Sequence, residues 1–169
     1  MGTEPKIFYA RDERDLFIIL IGRITAVHAY SLLERIKRGT SLFQDIWVDL
    51  SRTEYVDSTT IGTLLRLHQK MEAKSGSLFL CNVSPEVHKI LKSMHLDNYL
   101  HTIRNSNIEA LDELAMQRVS FVSGSSVPET FVLDVHHDLC SLVPELNERF
   151  KTLFAVLHQQ VEKKNKTGN

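Results

Sequence analysis

Short apolar runs alternate with longer, helically periodic segments along most of the chain. KIFYA and DLFIILIG flank the charged turn RDERD and read as a hairpin, the second strand more continuously apolar and therefore more buried. In AVHAYSLLERIKRG, Val27, Tyr30, Leu33 and Ile36 recur at near-helical spacing, with Thr25 placed to cap the helix and Gly39 to end it. DIWVDLS is the next predicted strand. After RTEYVDSTT comes IGTLLRLHQKMEAKSG, where Ile61, Leu64, Leu65, Leu67, His68 and Met71 give a helix beginning near Ile61 a broad apolar face, closed by Gly76. SLFLCNV is nearly all apolar, as a strand covered on both faces requires. Ser84, Pro85 and Glu86 supply a capping hydroxyl, a first-turn proline and an acid for another helix, buried through Val87, Ile90, Leu91 and Met94. YLHTI reads as a short edge strand, and Ser106 with Glu109 as a capping box before a helix over IEALDELAMQR.

Such alternation predicts an α/β domain over residues 1–118, with a mixed four- or five-stranded sheet covered by helices. VSFVSGSSVPET shifts toward Ser, Gly and Pro, so 119–137 reads as a linker or extended segment, and 138–169 as a helical extension with a polar tail. Within that extension Leu146, Phe150, Leu153, Leu157 and Val161 make one continuous helical stripe. Packing back on its own domain, pairing into a homodimer, or binding another protein would each bury it.

Composition excludes more than it selects. The 169 residues carry 20 Lys and Arg against 21 Asp and Glu, a net charge of -1, so no strong electrostatic pull toward nucleic acid follows. Aromatics are 8% of the chain and are not interleaved with basic residues, which argues against a base-stacking surface. Two cysteines, Cys81 and Cys140, suit a reducing compartment. LFIILIG is too short to span a bilayer, and Lys6 stands where a myristoylation signal wants Ser or Thr. The expectation is a soluble cytoplasmic protein without membrane insertion, in which the NKT sequence at 165–167 is never glycosylated.

No residue pattern along the chain carries catalytic or metal chemistry. His28, His68 and His88 have no ligand partner at helical spacing, and HHDLC, with His136, His137 and Cys140, is short of further cysteines, so no metal is expected. The glycines at 22, 39, 62, 76 and 124 are too dispersed for a phosphate-binding loop, and no serine elbow is present, so neither a cofactor nor a catalytic residue is expected. Ser58, next to Asp57, has no credible histidine partner; a helix-capping hydroxyl accounts for it without chemistry.

The segment from 45 to 100 carries a family signature. Asp49-Leu50-Ser51 ends a buried strand, Asp57-Ser58-Thr59-Thr60-Ile61-Gly62 follows, then a helix, the turn Ser75-Gly76, the strand Leu80 to Asn82, and VSPEVHKILKSMHL, in which His95 stands where a glycine is common. In this order and spacing, over roughly residues 5–117, the chain resembles the STAS family, shared by bacterial anti-sigma factor antagonists and the cytoplasmic domains of sulfate transporters. The resemblance implies the fold above and gives Asp49, Gly62 and Gly76 structural roles, Gly62 in close helix-to-sheet packing. It also implies that Ser58 is phosphorylated by a partner that is both serine kinase and anti-sigma factor, and is restored by a serine phosphatase. Asp57 would orient the serine, Thr59 and Thr60 would be secondary phosphorylation candidates, and Asp57, Ser58, Thr59, Thr60, Asn82 and Ser84 would form the partner-binding edge. Thr60 departs from the glycine usual in antagonists. The same resemblance admits an alternative, an accessory subunit of a lipid-transport ATPase complex.

Elementary electrostatics supports a switch at this position. A helix N-terminus offers unsatisfied amides and a positive pole, so the domain tolerates a phosphate on Ser58 while an acidic or tightly packed partner does not.

Overall fold

Residues 2–39, 42–106 and 116–168 are described by the structure, a computed structural model. The first strands, β1 (Lys6–Arg11) and β2 (Asp15–Ile24), form an antiparallel hairpin. Asp12 closes its turn, its carboxylate accepting from the amides of Arg14 and Asp15 at 2.8 and 2.7 Å. From β2 onward the pairing is parallel: β2 with β3 (Asp45–Val56), β3 with β4 (Ser77–Cys81), and β4 with the edge strand β5 (His101–Ile103). Crossovers are supplied by α1 (Ala26–Ile36), α2 (Ser58–Glu72) and α3 (Pro85–Ser93). A short strand, β6 (Gln117–Arg118), pairs antiparallel with β1, so among the described residues the sheet has six strands in the order β5-β4-β3-β2-β1-β6.

The period of two along each strand selects the buried face. Leu16, Ile18 and Leu20 of β2, Ile46, Val48 and Leu50 of β3, and Leu78 and Leu80 of β4 are all sealed from water, each contributing roughly 1.5–3 kcal/mol of burial. Ile61, Leu64, Leu65, Leu67 and Met71 of α2 join the same core. On the opposite face Phe17, Trp47 and Phe79 lie in register and half-buried. The helix starts follow the sequence reading at two places. Thr25 is the N-cap of α1, where the His28 side chain reaches back to accept from the Thr25 amide at 3.0 Å. Ser84 caps α3, accepting from the Val87 amide at 3.3 Å with Pro85 in the first turn.

Several expectations change. Among the described residues the sheet has six strands rather than four or five, because Gln117 and Arg118 add β6 where a helix over 108–118 was expected; most of that stretch, with Glu109 of the capping box, lies outside the described residues. Strand β3 runs on to Val56, and α2 begins at Ser58 rather than near Ile61. Residues 129–137 are helix, not linker: they open α4 (Glu129–Leu142), which is followed by α5 (Leu146–Thr167). Period alone hid α4, because its Ser- and Pro-rich approach reads as a break and its first turns are mixed in polarity.

The helices α4 and α5 form a hairpin held at its open end by Lys164, whose Nζ lies 2.8 Å from the Glu129 carboxylate. Leu146, Phe150 and Leu157 are buried there, with Leu153 and Val161 partly so; of the three burials open to this stripe, packing on the chain's own fold is the one seen, in place of a homodimer seam.

Candidate functional site

The end of β3 delivers Asp57 to the junction of two helix starts. Its backbone is extended, and its carboxylate caps α2 by accepting from the Thr60 amide at 2.8 Å and lies 2.7 Å from the Thr60 hydroxyl. The other carboxylate oxygen accepts from the Ala26 amide at 2.8 Å, the first residue of α1. One side chain therefore satisfies orphan donors of two helices whose positive poles converge on it. The cap is Asp57, and Ser58 is the first residue of the helix rather than its cap.

Thr59 and Thr60 are 5% and 2% exposed. The Thr60 hydroxyl also lies 3.3 Å from the Ile24 carbonyl, which ties the cap to β2. Neither threonine is on the surface, so the expected secondary phosphorylation and partner contacts do not fit their placement. Asp57 was expected to orient Ser58, but its carboxylate is committed to Thr60 and Ala26.

Ser58 is oriented by a residue from far along the chain. Its Oγ lies 2.8 Å from Nε2 of His136, in α4. Nδ1 of the same ring lies 2.7 Å from the Val132 carbonyl, which only accepts, so Nδ1 carries the hydrogen. Burial pushes the His136 pKa below its ordinary value, keeping the ring neutral, so Nε2 offers a lone pair and the Ser58 hydroxyl donates to it. The phenyl ring of Phe150 meets the imidazole edge-on at 4.7 Å between centroids. His137, one residue on, points outward and stacks on Phe154 at 4.6 Å.

A serine paired with an imidazole that is itself held by a carbonyl is the pairing expected of a nucleophile and its base. It overturns the expectation that Ser58 has no histidine partner. The ring is 1% exposed, at the contact of α4 with α2, where it holds the serine hydroxyl.

Two further contacts fasten α4 to α2. At Gly62 a Cβ would stand 2.9 Å from both the Cβ and the carbonyl oxygen of Val135, so this glycine lets α4, and not the sheet, approach closely. Arg66 donates from Nε to Asp138 Oδ2 at 2.7 Å, with its Nη2 also 2.7 Å from that oxygen. Ser58, Gly62 and Arg66 are four residues apart, hence one stripe of α2.

The other expected site residues lie elsewhere. Asn82, in the left-handed conformation, donates to Asp49 Oδ2 at 3.0 Å, and Asp49 accepts in turn from the Ser51 hydroxyl at 2.6 Å. Ser84 is buried and donates to the Thr53 carbonyl at 2.7 Å, four residues before Asp57 and about 13 Å back along β3. Gly76 closes α2, its amide bonded to the Met71 carbonyl at 2.8 Å, and a Cβ there would strike the Gln44 carbonyl at 2.0 Å. At the far end of α2, His68, Glu72 and His101 have donor atoms within 4.8 Å of one another, a set of ligand types that suits zinc, although Glu72 and His101 are exposed. Both cysteines are buried and unbridged. Among the described residues no helix is long and apolar enough to cross a membrane.

A model of the STAS domain matches residues 8–110, well over half of the chain. The chain belongs to the STAS domain family. A curated relative, an anti-sigma F factor antagonist of Paenibacillus polymyxa, is 28% identical over 71 residues, 42% of this chain and 60% of the relative's length. The unphosphorylated form of the anti-sigma factor antagonist SpoIIAA matches with a TM-score of 0.54 at 22% identity, over 63% of this chain and 94% of that one. An anti-sigma factor antagonist from Mycobacterium paratuberculosis matches with a TM-score of 0.53 at 17% identity, over 66% and 94%. These structures share the fold. The family match ends before α4, so the hairpin that covers Ser58 lies outside the matched residues.

Proposed function

We propose that this chain is a partner-switching protein of the anti-sigma factor antagonist type, regulated by reversible phosphorylation of Ser58. The observation that carries the reading is the placement of one hydroxyl: of the three at the start of α2, only that of Ser58 is not sealed in the core. The partners are an anti-sigma factor or related serine kinase, which spends the ATP, and a serine phosphatase; this chain needs no cofactor and performs no catalytic step. A phosphate adds a charge of about −1.5 to −2 at the helix pole, where first-turn amides stabilise it, and beside Asp57, where it makes the edge more acidic. An acidic or tightly fitted partner is then repelled. SpoIIAA, of the same fold, has been solved in a phosphorylated form as well.

Peptide mass spectrometry of the protein from its native cells, in resting and stressed growth, tests the proposal. A phosphate on Ser58 whose occupancy changes between conditions is expected; a chain unmodified in every condition would falsify it.

A further inference from the structure

Nothing in the switch reading requires α4, yet α4 occupies the face on which that reading depends. Three successive positions of one α2 stripe each meet it: Ser58 meets His136, Gly62 meets Val135, and Arg66 meets Asp138. Each contact is of a different kind, a hydrogen bond, a backbone-close approach and an ion pair, so they specify a shape and a charge pattern in addition to the apolar burial of Phe131, Val135 and Leu139.

We infer that the stripe Ser58–Gly62–Arg66 is the partner-docking surface and that α4 is its resident stand-in, closing the site until a partner helix of the same pattern displaces it. The inference rests on the proposed switch for the purpose of docking, but not for its location. The partner it fits is an α-helix of a second protein that sets a β-branched aliphatic side chain on Gly62 and, three residues further on, a carboxylate toward Arg66, the spacing of Val135 and Asp138.

Glycine at 62 makes the shape requirement strict. The incoming helix sets its own Cβ and carbonyl against the bare backbone of 62, an approach that any side chain at 62 would block, and a helix that lacks the acid leaves Arg66 unpaired. Because α4 is tethered to the domain by residues 119–128, it competes at high effective concentration, and a partner sees its affinity reduced by the closed-to-open ratio. Kinase access to Ser58 is limited in the same way, since the hydroxyl is half-buried under His136.

Fluorescence anisotropy with a labelled, helix-stapled peptide of residues 129–142 tests this on full-length protein. His136→Ala with Asp138→Arg opens the cover from the α4 side and leaves α2 untouched; hydrogen exchange should show α4 deprotected and β2 and β3 unchanged. The opened chain should bind the peptide at least about tenfold more tightly than the wild type. Opening by Arg66→Asp instead should reverse the charge preference, so that the chain takes a peptide carrying Asp138→Arg and refuses the native one. If hydrogen exchange shows the sheet itself disturbed, His136→Ala alone serves as the opened chain. Equal binding by closed and opened chains, or indifference to the charge swap, would overturn the inference. Neither result depends on phosphate, so an unmodified Ser58 sinks the switch alone, and a failed peptide sinks the docking surface alone.

Discussion

Replacing Gly62 by alanine separates the role of this glycine from ordinary helix energetics by sign. In a helix interior open to solvent the change stabilises by about 0.8–1.0 kcal/mol, because alanine gives up less backbone freedom. Here the added Cβ would lie 2.9 Å from the Val135 Cβ and 2.9 Å from its carbonyl oxygen, with the carbonyl carbon at 3.2 Å. Carbon contacts prefer about 3.5–4.0 Å, and a backbone carbonyl in mid-helix cannot rotate aside, so α4 has to move. Overpacking of this kind costs roughly 1–3 kcal/mol, leaving a net loss of about 1 kcal/mol after the propensity gain. For a chain of this size that lowers Tm by about 2–4 °C. Urea titration followed by far-UV circular dichroism measures the loss, and hydrogen exchange should place the loosening in residues 129–142. A variant about 1 kcal/mol more stable than the wild type, with α4 exchange unchanged, would refute the close approach.

The double cap makes Asp57→Ala costly: two helix starts lose their acceptor at about 1 kcal/mol or more each, so Tm should fall by roughly 4–12 °C in a thermal melt, with Asp57→Asn recovering part of it. Burial lowers the pKa of His136, most directly, and of His28 and His68, against the opposing pull of Asp57 on His28 and His136 and of Glu72 on His68. Their depressed values mean that the unfolded chain binds more protons, so stability is held above about pH 6.5 and falls as the pH drops below it, by up to about 1.4 kcal/mol per pH unit for each ring. His136→Gln should flatten that slope by one ring's share in denaturant titrations at pH 7, 6 and 5; an unaltered slope would mean that the ring is not held neutral. His95 is exposed with φ of 56°, so His95→Gly should relieve left-handed strain and raise stability by about 0.5–1 kcal/mol in urea, and a loss of that size would argue against the conformation.

How far the sequence carried differed between the family domain and the hairpin added to it. Strands β1 to β5 and helices α1 to α3 announced themselves because each pairs a clear apolar period with a local stop or cap, as Ser84-Pro85 does for α3 and Ser75-Gly76 for the end of α2. The left-handed turn at His95, where glycine is common, also agrees with the backbone. Local reasoning missed what depends on distance. Nothing near Ser58 points to His136, and nothing near Gly62 says whether its bare backbone serves the sheet or another helix; both answers come from α4, 78 residues beyond Ser58 in the case of the histidine. The Asp57 cap was readable as a type of residue at a helix start, but its second helix, α1, ends its own strand at Ile24 and only the fold brings the two together.

The covering of Ser58 by a residue 78 positions downstream also has a schedule. A ribosome adding about 5–20 residues per second makes the serine roughly 4–16 s before it makes the imidazole that will hold it. Throughout that interval the hydroxyl of the nascent chain has no His136 to donate to. The contact between Ser58 and His136 therefore forms only after α4 has been made, and the order of synthesis sets the order in which the two faces of this junction meet.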